Sequence, residues 1–320
     1  MIVRWGLDEL AGLLHELGVG RPFLIASDRW SSLDLSAAGR WGEVPTDRID
    51  DIGAAAERAD ALLVVGGGSA IDLAKAVSAA TGLRLVSVPT TYSGAEWTAY
   101  FGVRDPRKRM VGGGGGAHLA GIVYEPQLTL DLPRAATGGT AMNALAHCAE
   151  ALYVRGRNSE GDEHALEGTR LISGSLPEVL ADGSDLGART TLLRGAMHAG
   201  AALAAAGLGL AHAMAQAVGG RYGIPHGAAN ALCLPPALRF NEPVAGAEIA
   251  VFGKGLGTDD PSTRCEQLSR LAGYERLRDL GVPEDELDEV AEATAVRGGA
   301  KANPRPASPG EIAELFRSIW

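Results

Sequence analysis

The chain has 320 residues, 46% of them hydrophobic, and a formal charge of −10; that length corresponds to about two domains with ample core. So acidic a balance speaks against nucleic acid or an anionic membrane as the main partner, since either needs a basic face for phosphates. Cys148, Cys233 and Cys265 are far apart and form no C-x-x-C pair, so they read as reduced thiols of a cytoplasmic protein.

At the N-terminus, MIVRWGLDELAGLL has too short an apolar run and too many charges for a signal peptide, and no stretch approaches about 18 apolar residues. Leu10, Leu13, Leu14 and Leu17 have helical spacing, ended by Gly18 to Gly20. PFLIAS (22–27) predicts a buried strand. Asp28 follows it, where a dinucleotide fold uses an acidic residue to bind a ribose and repel a 2′-phosphate; a plain turn or cap Asp is the alternative. Residues 30–44 are short and glycine-punctuated, and 47–59 predicts a helix with Ile49, Ile52, Ala55 and Ala56 on one side.

The stretch ALLVVGGGSAIDLAK (61–75) organises what surrounds it. Its apolar run suits a strand buried on both faces of a parallel sheet. Gly66, Gly67 and Gly68 let the backbone turn sharply near a ligand, and Ser69 can cap the helix that follows. A strand, a glycine turn and a helix N-terminus aim free N–H groups at one point, which suits a pyrophosphate; a tight βα turn without a ligand is the plain reading. LRLVSV (83–88) is the next strand, closed by Pro89, Thr90 and Thr91, whose hydroxyls lie where parallel sheets bind ligands. Residues 92–121 read as loop, because five consecutive glycines (112–116) disfavour any regular element; the run is a mobile hairpin tip, a backbone approach to a ligand or a plain linker, with a flexible loop favoured over a phosphate cradle. Arg104, Arg107, Lys108 and Arg109 before them form a basic cluster that can meet an anionic group or simply be solvated. Residues 121–124 read as a last short strand. From Pro133 onward the period becomes 3.6, which predicts helices over 138–153, 162–180, 185–204, 212–219 and 228–240, then around 243–256, 261–273, 276–280, 284–296 and 308–319.

The fold class expected is therefore an α/β nucleotide-binding domain with a parallel sheet over 1–132 and an all-α domain over 133–320, with the active site in the cleft between them. Asn143 and His147 share one helix face, His212 opens an alanine-rich helix, and His226 follows Pro225 in a turn. Four N/O donors from three elements can converge on a divalent metal; buried, hydrogen-bonded histidines are the plain alternative. His15, His118, His164 and His198 stand in no comparable setting and read as surface or core residues.

Together these stretches resemble the iron-type (group III) alcohol dehydrogenases, related in fold to dehydroquinate synthase. The likeness is carried by GGGSAIDLAK (66–75), PTTYSGAE (89–96), NALAHCAEALY (143–153), LGLAHAMAQ (208–216), IPHGAANALCLP (224–235), NEP (241–243) and NPRP (303–306), in the family's order along almost the whole chain. Within the family the chain looks most like the maleylacetate reductases, through its short PTTY loop, IVYEPQLTLDLP (122–133), and an Asn at 143 where metal-dependent members carry an Asp. The IPHGAAN wording is that of the alcohol dehydrogenases and departs from the maleylacetate reductases, which usually carry an acidic or polar variant after that histidine, and Gln216 stands where many metal-dependent members carry another histidine.

The resemblance implies nicotinamide-dependent hydride transfer, first to a maleylacetate-like unsaturated oxo-acid. The alternatives are a metal-dependent alcohol or aldehyde dehydrogenase, and a non-catalytic nucleotide-binding member. It implies His147, His212 and His226 as catalytic residues, and Asn143, His147, His212 and His226 as ligands of a divalent iron or zinc that the neutral Asn143 would hold weakly. Its cofactor contacts map to Asp28, Gly67, Gly68, Ser69, Asp72, Thr90, Thr91 and Lys108, with NAD(H) favoured over NADP(H). A small carbonyl substrate and a homodimer complete the expectation.

Overall fold

The apolar runs of the first 131 residues become the middle of one sheet in the computed structural model, which describes residues 1–107 and 109–320. Lys108, one of the implied cofactor contacts, lies outside the described residues. In chain order this region contains β1 (Ile2–Trp5), α1 (Glu9–Glu16), β2 (Pro22–Ile25), β3 (Gly39–Trp41), α2 (Ile49–Ala55), β4 (Ala61–Gly66), α3 (Gly68–Thr81), β5 (Arg84–Pro89), β6 (Phe101–Arg104), β7 (Met110–Gly114) and β8 (His118–Tyr124). Six of the strands pair in parallel in the order β1-β8-β5-β4-β2-β3. Side chains alternate across the pleat. Phe23, Ile25, Leu62, Val64 and Leu85 pack with Ile52 of α2 and Ile71 of α3, whereas Leu24, Leu63, Val65, Val86 and Val123 pack with Leu10 and Leu13 of α1. Both faces are covered, which is why these strands are continuously apolar.

Two strands that the pattern does not announce are at the edges. β1 is only partly buried along its length, and β3 is three residues long with an exposed Arg40. Residues 92–121 also differ from the loop expected of them. β6 and β7 form an antiparallel hairpin in which Gly112, Gly113 and Gly114 are paired strand residues. A Cβ at Gly114 would stand 3.0 Å from the Phe101 ring, and one at Gly113 3.0 Å from the Phe101 carbonyl oxygen. The glycines here make room for a neighbour rather than mobility.

Backbone contacts divide the chain into one unit of residues 1–91 and 95–131 and a second of residues 92–94 and 132–320. The second is helical: α4 (Arg134–Ala151), α5 (Ser159–Ala181), α6 (Leu186–Ala206), α7 (Leu210–Tyr222), α8 (His226–Leu256), α9 (Pro261–Leu271), α10 (Leu287–Ala295), α11 (Gly298–Ala302) and α12 (Pro309–Ser318). The two helices expected at 228–240 and 243–256 follow directly on each other as the two halves of α8, separated at Ala245, whose φ of −133° and ψ of 26° are not helical, just after Pro243, whose ring removes a helical hydrogen bond. The segment around 276–280 is a single 3₁₀ turn. Among the described residues no single helix is long and apolar enough to cross a membrane, and the apolar pair α6 and α7 is bent by 102°.

Candidate active site

In the first unit, the sheet order changes direction beside β4. β2 and β3 lead away on one side, while β5 and β8 follow on the other, and ligands of open parallel sheets collect at the carboxyl ends of strands at such a point. Asp28 stands there, exposed, in the 3₁₀ turn just past β2, and the glycine turn follows β4. Ser69 does not cap α3 as expected. The helix begins at Gly68, and extended Gly67 (φ −85°, ψ −171°) holds the cap position without any side-chain cap, so the first N–H groups of α3 are left to face an anion. Thr90 N–H donates to the Gly66 carbonyl at 3.0 Å, and a Cβ on Gly67 would lie 2.7 Å from Thr91 Cγ2. The structure thus brings Gly67, Gly68, Ser69, Thr90 and Thr91 together. Asp72 is tied up: its carboxylate pairs with Lys75 Nζ at 2.8 Å and accepts from the Gly102 N–H at 3.3 Å.

Lys75 and Glu96 are functional-looking residues that the sequence reading passes over, although both stand in quoted motifs. Lys75 is 1% exposed and spends its remaining donors on the carbonyls of Ala95 and Tyr100. Glu96 is buried and accepts from the Tyr124 hydroxyl at 2.7 Å, which itself accepts from Trp97 Nε1 at 2.8 Å. Burial pushes the Glu96 carboxyl up from its ordinary range. Both residues fasten the chain that leaves the PTTYSGAE motif. Of the basic cluster, Arg109 pairs with Asp105 across the hairpin turn.

In the second unit Asn143, His147, His212 and His226 do come together. The His147 and His212 rings stack with centroids 4.6 Å apart, and those of His212 and His226 are 5.6 Å apart. Asn143 and His147 project from one face of α4, His212 lies in the first turn of α7, and His226 opens α8. Close backbone approach makes this possible: a Cβ on Gly227 would collide with the backbone of Gly139 and Thr140 at 2.4–2.9 Å.

Glu150 is the organiser that the sequence reading misses. It is fully buried, and its carboxylate accepts from the Gly209 N–H at 2.8 Å, the His212 N–H at 3.2 Å and His212 Nδ1 at 2.6 Å. Gly209 is the N-cap of α7 and has no side chain to cap with, so a carboxylate from α4 satisfies the orphan N–H groups and the helix dipole instead. A Cβ on Gly209 would sit 2.9 Å from Glu150 Oε1, which is why a glycine is there. The remaining nitrogen of His212, Nε2, faces Asn143 Oδ1 at 3.2 Å, so both ring nitrogens meet oxygen acceptors.

The amide orientations follow from their partners. Asn143 Nδ2 donates to the Ser93 carbonyl at 3.0 Å, which turns Oδ1 into the cluster. Asn230, one turn after His226, donates through Nδ2 to Asn143 Oδ1 at 2.8 Å and to His226 Nε2 at 3.0 Å. Buried His147 is held well below the ordinary histidine range, first by burial and then by the charges of His212 and His226; it is a neutral imidazole whose Nδ1 has no partner among the described residues. His226 is the one partly exposed ring of the three.

These donors suit a divalent cation by type, with Glu150 as the outer carboxylate behind His212. As arranged they do not fit one. The Asn230 amide already occupies the acceptor atoms of Asn143 and His226, and no three His, Cys, Asp or Glu side chains among the described residues are set to hold a metal ion. His164 and His198, read as isolated, are bonded to each other through Nδ1 at 2.9 Å; His15 and His118 are exposed.

A parallel α/β unit with a glycine turn, joined to a helical unit that clusters histidines, defines a class. Residues 136–320 match the family model described as "Fe-containing alcohol dehydrogenase family, C-terminal", and residues 39–115 match "Iron-containing alcohol dehydrogenase". The chain belongs to the iron-containing alcohol dehydrogenase family, and it is an oxidoreductase. It is 35% identical to a maleylacetate reductase of Burkholderia cepacia over 82% of this chain and 74% of that one. Among solved structures it is similar to a maleylacetate reductase from Agrobacterium tumefaciens (TM-score 0.89, 29% identity, 100% of this chain and 95% of that one). It is also similar to an iron-containing alcohol dehydrogenase from Corynebacterium glutamicum (TM-score 0.91, 28% identity, 100% and 94%).

Proposed function

We propose that this enzyme reduces an unsaturated oxo-acid of the maleylacetate kind, using a nicotinamide cofactor. The observation that carries the reading is the buried amide and imidazole cluster around Asn143, whose polar groups are organised by hydrogen bonds and lead to the partly exposed His226. In the first unit, the N–H groups of Gly68 and Ser69 would hold the pyrophosphate of the nucleotide and Asp28 its ribose. The second supplies the groups that manage charge on the substrate. A bound nicotinamide would supply hydride to the alkene carbon β to the ketone; the carbon–carbon π electrons would then move into an enolate, and the enolate carbon would take a proton to give the saturated oxo-acid. His226 donates to the developing enolate oxygen and passes the proton, while neutral His147 and the Glu150-bound His212 hold the wall behind it. Free buried cysteines agree with a cytoplasmic setting.

NADH oxidation followed by its absorbance is the test. Maleylacetate should be turned over without added metal, and faster than simple aldehydes. Preferential aldehyde reduction that depends on iron or zinc would overturn the assignment.

The cofactor preferred should be NADH, because the Asp28 carboxylate would face the 2′-phosphate of NADPH. Asp28→Ala is expected to narrow the ratio of kcat/KM for the two cofactors by about tenfold, corresponding to ~1.4 kcal/mol. A ratio that the substitution leaves unchanged would remove Asp28 from the site.

A further inference from the structure

We propose that Arg189 is a positioning residue of the active site, acting through the segment Tyr92–Gly94. Arg189 is 2% exposed, and among the described residues its guanidinium meets neutral oxygens only. Nε donates to the Gly183 carbonyl at 2.6 Å, Nη1 to the Tyr92 hydroxyl at 3.2 Å and to Thr137 Oγ1 at 3.5 Å, and Nη2 to the Leu132 carbonyl at 3.5 Å. Among the described residues no carboxylate pairs with it. A buried cation without a counter-charge is costly, so a packing role alone is a poor reason to place one there.

The guanidinium instead holds a segment that touches two members of the cluster. Tyr92 is fully buried, and its N–H donates to Thr140 Oγ1 at 3.4 Å. The next carbonyl, that of Ser93, accepts from Asn143 Nδ2 and so decides where Asn143 Oδ1 points. Gly94, at φ +72°, lies so close that a Cβ would be 3.5 Å from the His147 ring and 3.2 Å from Gly200 Cα. Arg189 and Gly200 are both in α6 and are three helical turns apart, at about 3.6 residues per turn, hence on one face. One face of α6 thus grips the segment at both ends: Arg189 takes the Tyr92 hydroxyl, and Gly200 gives Gly94 room beside His147.

Tyr92→Phe removes one hydroxyl and keeps the ring, so it tests this link with less risk to folding than Arg189→Gln. Two arms are needed, because the rate arm rests on the proposed oxo-acid reduction and the other does not. In hydrogen exchange on the ligand-free protein, amides of residues 92–94 should exchange about tenfold faster in Tyr92→Phe than in wild type, while α6 stays protected. In the rate assay kcat should fall by about ten- to a hundredfold, the scale of loss expected from an ångström-level misplacement, with KM and NADH affinity within about twofold. In otherwise wild-type protein Arg189→Gln should show a loss of the same size, and Arg189→Lys, which keeps the charge and an N–H donor group, only part of it. Wild-type exchange in a folded Tyr92→Phe protein overturns the proposal, as does faster exchange with kcat unchanged. A wild-type enzyme inert toward maleylacetate refutes the substrate reading, and the exchange arm then decides the role of Arg189 by itself.

Discussion

His226→Ala should lower kcat by about 10²–10³, the usual consequence of removing one group that stabilises developing oxygen charge, while NADH still binds. Among His147, His212 and His226, only His226 is partly exposed, so it is the ring a substrate can reach. Pro225 fixes the backbone before it, and Asn230 Nδ2 on Nε2 at 3.0 Å fixes the ring; with Nε2 accepting, the ring proton is on the other nitrogen. His198→Ala, whose ring is bonded to His164, should leave kcat near wild type and serves as the control. The measurement is steady-state kinetics beside an NADH fluorescence titration. A folded His226→Ala protein that binds NADH and turns over within a few-fold of wild type would contradict the mechanism.

Glu150→Ala should cost both stability and rate. It strips the acceptor from two backbone N–H groups and from His212 Nδ1, all in a fully buried setting. Leaving buried donors unsatisfied costs about 1–3 kcal/mol for each group, which for these donors together at this size lowers the melting temperature by roughly 10 °C. The N-terminus of α7 loses its cap and His212 its orientation, so kcat should fall along with Tm. Glu150→Gln keeps one acceptor oxygen in place and should lie between alanine and wild type in both respects. Calorimetry of the ligand-free protein decides it: a Tm within about 2 °C of wild type in Glu150→Ala would show that the carboxylate does not hold α7.

The sheet was legible wherever it is buried on both faces. β2, β4, β5 and β8 announce themselves as apolar runs, whereas β1 and β3 lie at the edges, where half-exposed strands need no such pattern. The glycine run misled in the β6–β7 hairpin because propensity describes an isolated chain; there a flat surface against Phe101 outweighs the entropy of ordering glycine. Helical periodicity from Pro133 onward was plain in the sequence, since amphipathic spacing is a local property, and so was the break within α8, because Pro243 removes a helical hydrogen bond just before non-helical Ala245.

By itself the sequence determined the α/β and helical regions, the glycine turn after β4, and the candidates Asn143, His147, His212 and His226, because each rests on residue type and short-range spacing. Only the tertiary structure decided that Glu150 caps α7 and holds His212, and that the Asn230 amide occupies two of the presumed metal-ligand atoms. It also decided that a buried arginine on α6 holds the segment beside His147. These are contacts between residues 4 to 97 positions apart. Hydrogen-bond direction and burial arise when helices pack, and nothing in the local spacing of a chain encodes which carboxylate will meet which helix end.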